Sequence, residues 1–109
     1  MKRNAFTMKL KPGFEEEYKK RHDEIWPELE KVLSDAGIRN YSIFLDEETL
    51  TLFAYQELEE DSTDVSVNPV VRKWWDYMKD LMETHPDNAP VEKPLTEVFH
   101  IDGKVRGER

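Results

Sequence analysis

IRNYSIFLDEETLTLFAYQEL, residues 38–58, reads as two strands and a turn. From Ile38 to Leu45 and from Leu50 to Leu58 the chain is rich in β-branched and aromatic residues, and the acidic quartet Asp46-Glu47-Glu48-Thr49 between them implies an antiparallel hairpin. Both strands are apolar on both sides: Tyr41, Ile43 and Leu45 oppose Phe44, while Leu50, Leu52 and Ala54 oppose Phe53 and Tyr55. A strand with one face in water alternates apolar with polar, so these strands predict burial on both faces.

Working outward, Arg3 to Leu10 alternates with Phe6, Met8 and Leu10 on one side, which predicts another strand, broken by Pro12-Gly13. From Phe14 to Ala36 the period becomes helical, with Phe14, Tyr18, His22, Ile25, Trp26, Leu29, Val32, Leu33 and Ala36 recurring at three and four residues. Pro27 interrupts that helix, since it has no donor for the carbonyl of Asp23 and disfavours helical geometry at Trp26. A kink or restart is expected there, and a stop at Gly37.

Beyond the hairpin, Asn68-Pro69 forms a cap and first-turn pair ahead of Val71, Trp74, Trp75, Met78, Leu81 and Met82, an apolar stripe that predicts a second helix of about four turns. The turn-rich run His85-Pro86-Asp87-Asn88-Ala89-Pro90 ends it, and Leu95 to Ile101 reads as the last strand. The order is β-α-β-β-α-β, the ferredoxin-like α+β fold with both helices on one face of a four-stranded antiparallel sheet. Nothing in a single domain of residues 1–101 remains to cover the other face, so a homodimer is expected, its sheets packed face to face into a barrel-like core. A monomer with exposed aromatics is the plainer alternative. Residues 102–109 are expected to form a charged, mobile tail.

Composition narrows the function. The 109 residues carry 24 acidic against 16 basic side chains, a net charge of −8, which repels phosphate polyanions and acidic lipid headgroups, so no nucleic-acid or membrane partner is expected. The absence of cysteine excludes a disulfide scaffold, thiolate zinc and a cysteine nucleophile, and suits a reducing cytoplasm. No apolar run approaches the length of a membrane span. His22, His85 and His100 lack metal-ligand spacing, and the four glycines are too dispersed for a dinucleotide loop, so neither a metal nor another cofactor is expected.

His22 is the side chain best suited to proton transfer near neutral pH. Tyr18, His22 and Trp26 stand at i, i+4 and i+8 on the first helix, placing a phenol, an imidazole and an indole along one strip. The same spacing fits a boundary histidine flanked by core aromatics. Adjacent Trp74 and Trp75 point about 100° apart, so they divide between the core and another surface, either a subunit boundary or a stacking platform for a sugar. Tyr41 reaches the same cleft if its strand face is the helix-covered one.

Read together, YKKRHDEIWPELEKVL (18–33), NYSIFLDEETLTLFAY (40–55), RKWWDYMKDLM (72–82) and PDNAPVEKPLTEVF (86–99) resemble the L-rhamnose mutarotase family, most specifically through RHxxIWPELE and WWxYM. The likeness runs from Arg3 to about Phe99. It implies a dimeric α+β barrel, an isomerase that interconverts the anomers of L-rhamnose with His22 as proton donor and with Tyr18, Tyr41, Trp74 and Trp75 binding the sugar. The chain departs from the family pattern in a slightly shorter, more acidic loop before the second helix and a longer tail after Ile101. Two other functions suit the same architecture: a non-catalytic sugar- or effector-binding dimer, and a cofactor-independent monooxygenase. Roles for Asp87 and Asn88 are not legible at this level.

Overall fold

The computed structural model describes residues 1–107; positions 108 and 109 of the expected tail lie outside the described residues. Seven elements follow in order: β1 (Lys2–Lys9), α1 (Glu15–Asp23), α2 (Pro27–Asp35), β2 (Ile38–Asp46), β3 (Thr51–Leu58), α3 (Pro69–Met78) and β4 (Lys93–Pro94). The sheet order is β2-β3-β1-β4, antiparallel throughout. This is the ferredoxin-like α+β arrangement.

The restart expected at Pro27 is a complete break. Trp26 takes an extended conformation and Pro27 occupies the first turn of α2, so two helices stand where one periodic stripe was read. Three glutamates (Glu15, Glu16, Glu17) open α1, and Lys20, Arg21 and His22 close it, a distribution that opposes the helix dipole at each end. Gly37 ends the segment at φ 90°, where an added Cβ would meet Ser62 and Glu59 at 3.1–3.2 Å.

In the hairpin, Ile43 pairs with Ala54 and Leu45 with Leu52 on the helix-covered face, while Phe44 pairs with Phe53 on the other. A register shift between Arg39 and Ser42 accompanies the left-handed conformation of Asn40, and it bends β2 next to Tyr41. The core lies between the sheet and the helices, built from Phe6, Met8, Leu52, Ala54, Leu29, Val71, Trp74 and Met78. The opposite face is bare: Phe44 is 66% and Phe53 42% exposed.

Two boundaries differ from expectation. α3 stops at Met78 rather than running on to Met82, because the backbone of residues 81–83 is drawn into bonds with the end of β1: Lys11 N–H donates to the carbonyl of Leu81 (2.8 Å) and Glu83 N–H to that of Lys9 (3.0 Å). Leu81 and Met82 stay in the core without being helical. The last strand, expected over 95–101, is only Lys93–Pro94, continued by Leu95 N–H donating to Ala5. The pairing Phe6↔Pro94 and Thr7↔Lys93 sets position 98 against Lys2, where β1 begins, so the chain beyond has no strand to pair with. Val98, Phe99 and Ile101 are left exposed.

The Asn68 cap is formed as expected, its side-chain oxygen accepting from Val70 N–H at 2.9 Å with Pro69 behind it. Asn68→Ala should cost about 1 kcal/mol in urea unfolding. A change below about 0.3 kcal/mol would mean that α3 is held by packing alone.

Candidate active site

Between the sheet and the helices lies a cavity of about 1330 Å³, beyond the ~300–1,000 Å³ of ordinary small-molecule clefts. Its walls include Tyr18 and His22 from α1, Tyr41 from β2, and Trp74 and Trp75 from α3. All five residues expected to form a site therefore share one space.

His22 sits in the last turn of α1, where its Nδ1 lies 3.0 Å from the main-chain carbonyl of Tyr18. A carbonyl oxygen only accepts, so Nδ1 carries the hydrogen, and in the neutral ring Nε2 keeps its lone pair. The ring stacks on Tyr18 (centroids 4.4 Å apart, planes 28°) and meets Trp74 edge-on at 5.4 Å. Burial among these aromatics pushes the imidazole below its ordinary range; the bond to Tyr18 and the charge of Asp23 oppose this and lose. The His22 ring is thus neutral at pH 7.

The two tyrosines are held in the opposite sense. Burial raises the Tyr18 phenol well above its ordinary value, and the neighbouring Tyr41 adds to this. Tyr41 is raised by burial and then by the carboxylate of Glu92. Tyr41 is 39% exposed and lines the cavity. Both phenols stay protonated near neutrality, so each keeps a hydrogen to donate.

Trp74 is buried and Trp75 half-buried, the division expected of adjacent indoles, yet both line the cavity. The Arg72 guanidinium lies over Trp75 at 5.1 Å and fixes its outer face. Trp26 is a correction to the helical strip. The break between α1 and α2 turns it away, and it packs edge-on against Trp74 (5.0 Å) and beside Tyr77 (5.5 Å), bracing the cavity wall from behind.

The segment between α3 and β4 also lines the cavity, and its polar contributions are Asn88 and Glu92. Burial raises the Glu92 carboxyl, partly countered by His85. Neither residue has a spacing relation to His22 in the sequence; the only signal there is the turn-rich run that places the loop. Among the described residues, no three histidine, aspartate or glutamate side chains converge as metal ligands would, and no helix is long and apolar enough to cross a membrane.

Fold and site together define a small α+β pocket protein equipped for proton transfer against an aromatic wall. The model of the L-rhamnose mutarotase family matches residues 3–101, and the chain belongs to that family. It is 62% identical to the L-rhamnose mutarotase of Phocaeicola vulgatus over 94% of its own length and all of that relative's, and 57% identical to that of Bacteroides thetaiotaomicron with the same coverage. The crystal structure of L-rhamnose mutarotase from Formosa agariphila superposes with a TM-score of 0.89 at 52% identity, covering 94% of this chain and 100% of that one.

Imidazole ¹⁵N shifts of His22 should report hydrogen on Nδ1 and a bare Nε2 at neutral pH, with a titration midpoint below ~6.5 because burial disfavours the cation. The other tautomer, or a midpoint at or above ~6.5, would contradict this geometry.

Proposed function

We propose that the chain carries out its family's reaction, interconversion of the α and β anomers of L-rhamnose, in the cavity around His22, as an isomerase. The observation that carries the mechanism is the bond from Nδ1 to the Tyr18 carbonyl, which leaves Nε2 without a hydrogen on a neutral ring that lines the cavity.

Ring opening needs a proton removed from the anomeric hydroxyl as one reaches the ring oxygen. Nε2 takes the first; the Tyr18 phenol, kept protonated by its burial, or a water beside it supplies the second. The bond from the anomeric carbon to the ring oxygen breaks and its electron pair goes to that oxygen, leaving an aldehyde. After rotation about the adjacent C–C bond, both transfers reverse: the imidazolium returns its proton to the carbonyl oxygen and Tyr18 recovers its own from the ring-closing hydroxyl. No electrons leave the sugar. The family resemblance implies His22 as proton donor; in this allocation it donates only on ring closure, because a resting imidazole without hydrogen on Nε2 accepts before it donates.

The remaining residues hold the sugar. Trp74 and Trp75 offer flat apolar surface for the C–H faces of a deoxy-pyranose, and Tyr41 offers a protonated hydroxyl. Orientation of this kind supplements what a single acid–base group provides.

The protein works as a homodimer through its open sheet face. Large apolar patches are uncommon on monomers, and here the Phe44–Phe53 pair on the sheet and the exposed Val98, Phe99 and Ile101 beyond β4 belong to one chain. A net charge of −8 disfavours nucleic acid and membrane surfaces as partners, and a cysteine-free chain suits the cytoplasm.

His22→Ala should slow anomer exchange, followed by saturation-transfer NMR on L-rhamnose, by about 10²- to 10⁴-fold with the fold retained. An unchanged rate would remove His22 from the chemistry. For the assembly, Phe44→Asp should halve the mass found by light scattering, since a charge at the centre of an apolar interface has no partner; a wild-type monomer, or a variant that keeps the dimer mass, would refute the sheet-to-sheet contact.

A further inference from the structure

Two consecutive residues of the loop between α3 and β4 are pinned to two positions one turn apart on α3. Arg72 Nη1 donates to Asp87 Oδ2 at 3.1 Å, and Asn88 Nδ2 donates to Asp76 Oδ1 at 2.8 Å. Asp87 also accepts from Ala89 N–H through its other oxygen (3.1 Å), and Asn88 N–H donates to the carbonyl of His85 (2.9 Å). The backbone of Asn88 stands at φ 71°, a left-handed conformation that asparagine tolerates better than most residues with a side chain. The residue is held at both its backbone and its amide.

Which end of that amide is left over follows from chemistry. A carboxylate only accepts, so the nitrogen of Asn88 must face Asp76 and the carboxamide oxygen takes the other prong. Among the described residues no donor engages that oxygen, and no buried side-chain polar atom lacks a partner, so the oxygen is accessible. Asn88 lines the cavity with His22, Tyr41 and Trp75. A fixed acceptor without a protein partner, on a residue that lines the cavity, is what a sugar hydroxyl needs.

We propose that Asn88 is a further sugar-binding residue, its carboxamide oxygen accepting a hydrogen bond from a hydroxyl of the pyranose, with Asp76 as the positioning residue that fixes the amide. This rests on the reading of the cavity as a pyranose site. Because the hydroxyl concerned does not react, the bond stabilises ground and transition states alike, and its loss appears in KM rather than in kcat.

Anomer exchange of L-rhamnose measured over a range of sugar concentrations tests this. Asn88→Gly keeps the left-handed backbone and removes the amide; KM should rise about tenfold with kcat within about twofold of wild type. Asn88→Asp alone sets two carboxylates against each other and should raise KM as well. Adding Asp76→Asn to it rebuilds the bond with the roles exchanged, leaves a carboxylate oxygen for the sugar, and should bring KM back to within about threefold. A KM within about twofold of wild type in Asn88→Gly or Asn88→Asp overturns the assignment, as does failure of the double change to restore what Asn88→Asp loses. His22→Ala, run alongside, separates the two layers. If it abolishes exchange while Asn88→Gly leaves KM unchanged, only the role of Asn88 falls; if it leaves exchange intact, the reading of the cavity falls and the inference with it.

Discussion

The hydrogen bond from His22 Nδ1 to the carbonyl of Tyr18 joins the fold to the chemistry. A carbonyl one turn back in a helix normally accepts a main-chain N–H; near the end of α1 it is also within reach of the imidazole four residues on. The bond fixes one tautomer, and the stack on Tyr18 and the edge contact with Trp74 fix the ring. A histidine at a helix C-terminus would ordinarily gain basicity from the dipole. Here desolvation by the aromatic wall outweighs both that effect and the nearby Asp23, so the ring rests neutral.

That environment exists because the helix ends where it does. With Pro27 starting α2, the chain leaves helical geometry at Trp26 and sends the indole behind Trp74. Trp74 is thereby backed on one side and presents another to the cavity. The same end of α1 is tied down by Arg21, whose guanidinium lies over Tyr77 at 4.4 Å and bonds its carbonyl at 2.6 Å and Asp80 at 3.3 Å. Individually such surface contacts are weak; jointly they hold α1 against α3, the two helices that supply the imidazole and the indoles.

Periodicity made the ferredoxin-like order legible, because a half-buried helix and a strand leave different spacings. It also made His22, Tyr18, Tyr41 and the tandem tryptophans stand out, as residues too costly to place idly. It misplaced Trp26, since a spacing of i+8 assumes an unbroken helix and Pro27 breaks this one. It overextended α3 and the last strand for a related reason: Leu81, Met82, Phe99 and Ile101 are apolar as the pattern demands, but where their backbone bonds go depends on the register with β1, a long-range fact. Asn88 was visible only as part of a turn-rich run, without a role, and Glu92 not at all. Loop residues reach a site through the path of the backbone, which leaves no period, and the Arg72 and Asp76 anchors appear only once loop and helix lie side by side.

A neutral imidazole acting as base within the cavity is best tested by the pH dependence of kcat/KM for anomer exchange on L-rhamnose enriched in ¹³C at the anomeric carbon. Protonation removes the Nε2 lone pair, and burial lowers the pH at which this happens. The profile should be level above ~6.5 and fall on the acid side, with the same midpoint as the His22 ring. A profile level down to about pH 5, or a midpoint unrelated to that of His22, would contradict the account.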